Sequence, residues 1–177
     1  MSADRPEPEL VVSFTSPAGE EVRVEWDGEA LGRLGRDRRA ERGLWRLAGE
    51  LDWDEVEALR VLSGRADDGR VLAIAALRPR GAAGHGEDAV GGTIVADGGA
   101  EELAEVLLST EYVGEAEVHR VGLELYRTED GMPLRAAADA TGTESEVVGG
   151  VRRDRIALDL RLAGSPGAGL LEVLRRA

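Results

Sequence analysis

The sequence predicts an all-β protein with at most a minor helix, and the expected architecture is an antiparallel meander β-barrel. Short segments alternate apolar and polar residues, which is the two-residue period of strands that are buried on one face. Glycine-containing turn sequences separate these segments at spacings of roughly 8–12 residues, as in sandwiches and barrels. Closure of the sheet into a barrel would also remove the exposed edges that so many strands create.

The strongest strand signal lies between Glu117 and Ala138. The alternation of its first arm places one set of residues on a single face, namely His119, Val121, Leu123 and Leu125. The residues EDG at 129–131 then supply turn chemistry, because glycine reaches positive φ without a steric clash. A second extended arm follows from Pro133, so the segment is predicted to be a β-hairpin whose one histidine faces the interior.

Similar patterns predict further strands along the chain. They cover residues 10–14, 22–26, 45–47, 71–77, 93–96, 156–162 and 170–174. Residues 51–63 and 101–112 fit either a helix or a strand, and the turn sequence that follows favours a strand for residues 56–63. Residues 139–150 are predicted to be a polar loop, and residues 165–167 a turn before the last strand.

The domain organisation is expected to be simple. Residues 1–8 are rich in proline and acidic residues and are expected to form a disordered N-terminal tail, followed by a single barrel domain over residues 9–177. An internal match suggests two related halves, because RADDGRVLAIAA at 65–76 aligns with RTEDGMPLRAAA at 127–138. Shared turn chemistry in two unrelated hairpins explains the same match, so both interpretations stay open.

The composition excludes several kinds of chemistry. The 177 residues include no cysteine and no lysine, so disulfides, thiol nucleophiles, Schiff bases and a P-loop lysine are ruled out. The formal net charge of −13 argues against a general affinity for nucleic acid or anionic membranes. The chain has no signal-peptide pattern near its start and no apolar run that could span a membrane, so we expect a cytoplasmic protein.

His119 is the first candidate site residue, because its parity predicts that it faces the interior with the apolar residues of its strand. Inside a ligand cavity, this imidazole would serve as a catalytic acid or base. Inside a packed core, it would instead be a structural histidine that hydrogen-bonds a backbone carbonyl or a nearby acid. The pattern alone does not separate these two roles.

His85 is the second candidate. It lies in a glycine-rich loop that begins near Arg78, and a loop over the mouth of a barrel would let both side chains contact a ligand. Trp26, Trp45 and Tyr126 complete the predicted ligand-binding set, although the tryptophans also suit a packed core. No second histidine lies at metal-ligand spacing from either histidine, so neither a metal nor a cofactor is predicted.

In strand count alone, the predicted barrel resembles lipocalin-type barrels and the barrels of some natural-product cyclases. The resemblance gives no functional residues. Because a barrel of about eight strands can hold one ligand, the leading hypothesis is that a small, largely apolar molecule binds inside it, and a cyclase or isomerase version would need one acid or base such as His119. The alternative is a non-catalytic structural or protein-interaction module whose barrel is filled by side chains. An open interior would favour the first hypothesis and a filled interior the second, while turnover and oligomeric state stay open.

Overall fold

The computed structural model describes residues 10–15, 19, 21–36, 43–83, 88–114 and 117–177. The predicted tail at residues 1–8 and His85 lie outside these ranges. The described residues form twelve strands and one short helix: β1 Leu10–Thr15, β2 Glu21–Trp26, α1 Gly28–Gly32, β3 Trp45–Ala48, β4 Val56–Ala66, β5 Val71–Pro79, β6 Ala89–Ala96, β7 Gly99–Glu102, β8 Glu105–Val113, β9 Glu117–Tyr126, β10 Leu134–Val148, β11 Val151–Leu162 and β12 Ser165–Arg176.

The larger sheet has nine antiparallel strands in the order β7-β6-β5-β4-β12-β11-β10-β9-β8. Consecutive strands pair as hairpins on either side of a single non-local pair, in which β12 lies against β4. This order is an up-and-down meander that curls into a barrel, with its two free edges at β7 and β8. The predicted all-β fold class, with its antiparallel meander and one minor helix, is therefore confirmed.

The two edges of the curled sheet meet at one end only. The backbone N–H of Leu103 donates to the carbonyl of Gly92 on β6 at 2.9 Å, and the next N–H, of Ala104, donates to Tyr126 on β9 at 2.8 Å. The chain therefore changes partners as it passes from β7 to β8. Beyond this point β8 pairs with β9 alone, which leaves a seam between β6 and β8.

A smaller sheet of β1, β2 and β3 covers part of the outside of the barrel. Strand β4 is consequently buried on both faces: Leu62 packs inside the barrel, and Val61 packs against the smaller sheet. Ser63 also faces the smaller sheet, where its hydroxyl accepts a hydrogen bond from the Trp26 indole at 2.9 Å. The same two-sided burial explains why β5 is a nearly continuous apolar run.

Several boundaries differ from the sequence-based expectations. The predicted polar loop at 139–150 is wrong, because β10 and β11 continue through it as a ribbon that turns at Gly149 and Gly150. Most of this ribbon is exposed, so its sequence carries no clear alternation. The predicted turn at 165–167 is also wrong. The turn lies at Ala163 and Gly164, which both have positive φ, and β12 begins at residue 165.

The two ambiguous segments contain strands, β4 in the first and both β7 and β8 in the second. The two segments of the internal match, at 65–76 and 127–138, both contain the turn of a β-hairpin. This common position agrees with a duplication and with shared turn chemistry alike, so the two related halves stay a prediction.

Candidate functional site

A cavity of about 400 Å³ lies at the end of the barrel where β10, β11 and β12 extend beyond the packed core. We call it the mouth cavity, and its boundary includes Arg60, Arg78, Tyr112, Asp154, Val173 and Arg175. A larger cleft of about 920 Å³ follows β8. That cleft is lined in part by outward-facing groups such as Leu107, which is 46% exposed, so the mouth cavity is the better-defined site.

The floor of the mouth cavity is apolar. Val118, Ile156 and Val173 line it, and each is also a member of the buried barrel core. Below this floor, the inward positions of β11 are all leucine, at residues 158, 160 and 162, and they are almost fully buried. The deep end of the barrel is therefore packed by side chains, whereas its mouth is open.

Asp154 is the most highly hydrogen-bonded group in the wall. It has the inward parity of Ile156, and it pairs with Ser145 on β10 and with Val173 on β12. Its carboxylate accepts hydrogen bonds from Ser145 Oγ at 2.6 Å, Arg152 Nε at 3.0 Å and an Arg175 guanidinium nitrogen at 2.9 Å. Burial acts to raise the pKa of Asp154, but these hydrogen bonds outweigh it and hold the pKa below its usual value.

Arg60 lines the mouth cavity from β4 and crosses the seam. Its guanidinium donates to Thr110 Oγ1 on β8 at 2.9 Å and to Asp88 Oδ2, just before β6, at 2.8 Å. Only 7% of the Arg60 side chain and 1% of the Asp88 side chain are exposed. Arg78 lies nearby, with its Nε 3.4 Å from Glu57 and 3.8 Å from Asp88. The ion pairs join β4 and β5 to the residue that precedes β6, and the hydrogen bond from Arg60 to Thr110 adds β8.

The predicted interior position of His119 is wrong, because this residue is exposed to solvent. The cause is a β-bulge: Arg120 pairs with Glu111 and Val118 pairs with Tyr112, which leaves His119 as the extra residue of β9. The bulge shifts the parity of the strand at this point, so Val118 and Val121 are both buried although they are three residues apart.

The other predicted site residues are dispersed. Arg78 lines the mouth cavity, as the hypothesis of a mouth ligand requires. Trp26 and Trp45 are directly paired across β2 and β3, and they line a separate depression of about 490 Å³ at the smaller sheet. Trp45 also donates to Glu172 and lies under the Arg153 guanidinium, 5.5 Å from its ring centre. A common pocket for Arg78 and these tryptophans is therefore wrong.

Tyr126 lies at the far end of β9, where its hydroxyl is 3.5 Å from Glu124. Burial and the adjacent Glu124 raise the pKa of this phenol. Its strand neighbour Leu125 faces the barrel core, so Tyr126 is on the outer face of the sheet. Tyr126 therefore lies apart from the mouth cavity, and any role in ligand binding stays a prediction.

Sequence reasoning missed Ser145, Asp154 and Arg175. A signal for Asp154 exists, because the alternation of Ile156, Leu158 and Leu160 extends back to it. No such signal exists for Ser145, since a second bulge, at Thr141, resets the parity of β10 before that residue. The meeting of Asp154 with Arg175 depends on the register of β11 against β12.

The described ranges contain no group of three or more acidic, histidine or cysteine side chains arranged to hold a metal ion. Within the same ranges, no helix has the length and apolar character needed to cross a membrane.

Comparison with known proteins supports the fold assignment. No protein-family model matches the chain, and no curated protein matches it in sequence. The chain is similar to a solved structure from Nitrosomonas europaea, a protein provisionally designated AttH, with a TM-score of 0.51 and 16% identity. The similarity covers 94% of this chain and 50% of that one, so the present chain spans about half the length of its structural neighbour. At this identity the likeness concerns the barrel fold alone.

Proposed function

We propose that this protein binds a small molecule in the mouth of its barrel. The observation that carries the proposal is the mouth cavity itself, whose volume of about 400 Å³ is typical of ligand pockets. An apolar floor beneath hydrogen-bonding walls is also the usual construction of such pockets, because the floor supplies affinity and the polar groups fix orientation. The sequence predicts a largely apolar ligand, and such a ligand would not require walls as polar as these.

The proposal is for binding rather than turnover. His119, the predicted acid or base, is exposed on the bulge of β9 and does not line the mouth cavity. Asp154 does line it, but the lowered pKa keeps its carboxylate ionised at neutral pH, so it is a poor proton donor. A cyclase or isomerase would therefore need a proton donor other than these two groups.

The alternative is a structural or protein-interaction module, and one observation favours it. The barrel below the floor is filled by buried leucine and valine side chains, as a purely structural barrel would be. Among the described residues, this packing fills the deep end of the barrel, whereas the mouth cavity and the cleft along β8 leave room for a ligand. The two functions are therefore distinguished by occupation of the mouth cavity.

Fluorescence titration with 8-anilinonaphthalene-1-sulfonate, an apolar dye with one anionic group, tests the proposal. We expect saturable binding of one dye molecule to the wild type. Thr143→Trp should weaken this binding at least tenfold, because Thr143 lines the cavity wall and a large ring there would occupy the space. Thr143 is exposed to solvent, so the variant should still fold.

Val148→Trp is the matched control. Val148 lies on the same strand near the ribbon tip, is 69% exposed and does not line the cavity. Its substitution should leave dye affinity within about twofold of the wild type, since surface changes away from a site are usually small. Absence of saturable binding to the wild type, or equal weakening by both variants, would contradict the proposed site.

A further inference from the structure

We infer that the ligand of the mouth cavity is an organic anion, specifically a carboxylate with a short apolar tail. The inference rests on the proposed function, and it adds the chemical class of the ligand. It follows from three properties of the cavity: its charge, the hydrogen-bonding state of its arginines and the position of its apolar floor.

The lining of the cavity is richer in cations than the chain as a whole. Four of its seven charged side chains are arginines, in a chain with 22 arginines and 35 acidic residues. The arginines are Arg60, Arg78, Arg152 and Arg175. In a protein with a formal charge of −13, a lining in which arginines outnumber acidic residues four to three favours an anionic ligand over a cationic one.

The cationic excess is sharpest on the wall formed by β11 and β12. Arg152 and Arg175 are paired across these strands, and both donate to the single carboxylate of Asp154. Two positive charges thus share one negative charge on this wall. Arg60 and Arg78 differ, because two carboxylates, Asp88 and Glu57, lie against them.

Arg175 also has hydrogen-bonding capacity that the protein leaves unused. Its Nε is buried and has no hydrogen-bond partner within the part of the chain that the structure describes, although its side chain as a whole is 38% exposed. The Nε of Arg78 is in the same condition, because its carboxylate neighbours lie outside good hydrogen-bonding geometry. A carboxylate matches the planar fork of a guanidinium, and the exposed part of the Arg175 side chain is accessible to such a ligand.

The apolar floor of the cavity indicates the chemistry of the rest of the ligand. Val118, Ile156 and Val173 lie beneath the charged walls, so a molecule with its carboxylate at Arg175 would direct its other end onto apolar side chains. A simple inorganic anion would leave this floor uncovered. An amphipathic carboxylate matches both levels of the cavity.

Three probes with the same eight-carbon tail test the inference: octanoate, 1-octanol and octylammonium, each measured by displacement of the bound dye and by calorimetry. We expect octanoate to bind at least tenfold more tightly than 1-octanol, since hydrogen bonds to charged groups are about twice as strong as neutral ones. Octylammonium should bind more weakly than either, because it places a cation among arginines.

Arg175→Met should weaken octanoate binding about tenfold and change 1-octanol binding less than twofold. Arg176→Met is the control, because Arg176 is the next residue on β12 and pairs with Asp54 on the protein surface. If Arg175→Met fails to fold, Arg78→Met provides the same comparison.

The outcomes separate the two proposals. Equal affinity of the wild type for octanoate and 1-octanol would overturn the anion inference and leave ligand binding in the mouth intact. An Arg175→Met variant that binds octanoate as the wild type does would overturn it as well. Failure of all three probes and of the dye to bind would overturn the proposed function itself.

Discussion

Replacing Asp154 with alanine removes the carboxylate that joins three strands at the mouth of the barrel. Ser145 on β10, Arg152 on β11 and Arg175 on β12 all donate to it. The side chain of Asp154 is only 7% exposed, so these hydrogen bonds compensate for the loss of its hydration. The alanine variant would hold two neighbouring arginines against each other without a shared counter-charge.

The structure sets the size of the effect. Removing one partner of a buried ion pair costs about 3–5 kcal/mol when the remaining charge stays buried. Here the side chains of Arg152 and Arg175 are 47% and 38% exposed, so they recover part of their hydration. We therefore expect a loss of about 2 kcal/mol in the free energy of unfolding, near the value for one hydrogen bond to a charged group.

Urea unfolding followed by far-UV circular dichroism measures this loss. With a slope of about 2 kcal/mol per molar urea, the midpoint should fall by about 1 M. Asp159→Ala is the control, because Asp159 is an exposed residue of the same strand on the opposite face, and its loss should change stability by less than about 0.5 kcal/mol. Equal midpoints for the two variants would refute the role assigned to Asp154.

The pH dependence gives an independent check with a defined sign. Because the pKa of Asp154 is lowered in the folded protein, its contribution is complete above the ordinary carboxyl value of 3.8 and is lost as the pH falls through the folded pKa. The stability difference between the wild type and Asp154→Asn should be constant from pH 7 to about pH 5 and should shrink below pH 4. A difference that grows on acidification would refute the assignment.

Two further experiments test how the barrel closes. Gly167→Ala should cost at least about 3 kcal/mol in urea unfolding, because a Cβ there would lie 2.0 Å from the carbonyl oxygen of Arg65 across the β12–β4 pair. Gly142→Ala, where nothing lies within 4 Å, should change stability by less than about 1 kcal/mol, and equal costs would contradict this view of the closing pair. Arg60→Met should cost about 3 kcal/mol because it removes the hydrogen-bonded ion pair between Arg60 and the buried carboxylate of Asp88, and adding Asp88→Leu should recover most of the loss. If Arg60→Met alone is as stable as the wild type, the ion pair between Arg60 and Asp88 does not stabilise the seam.

Local patterns in the sequence were sufficient for the fold class. The alternation in β9 and β11, the apolar run of β5 and the EDG turn each depend on residues that are close in the chain. Side-chain parity and turn geometry are properties of a few consecutive residues, so they can be read without knowledge of the partner strand. The absence of cysteine and lysine likewise excludes whole classes of chemistry on composition alone.

The site depended on the tertiary structure. A bulge at His119 turned the one predicted interior histidine to the solvent, and a second bulge at Thr141 placed Ser145 beside Asp154. A bulge adds one residue to one strand, so it is defined only by the register of a pair and leaves no fixed mark on the sequence.

The closing pair of β12 with β4 is also non-local, because the paired residues are about a hundred positions apart. The sequence by itself determined which leucines face inward, because alternation is a local property, and it determined the excess of acidic residues and arginines, because these are composition. Which arginines meet at the mouth was decided only by the long-range pairing of strands, since that pairing sets the register of every wall residue.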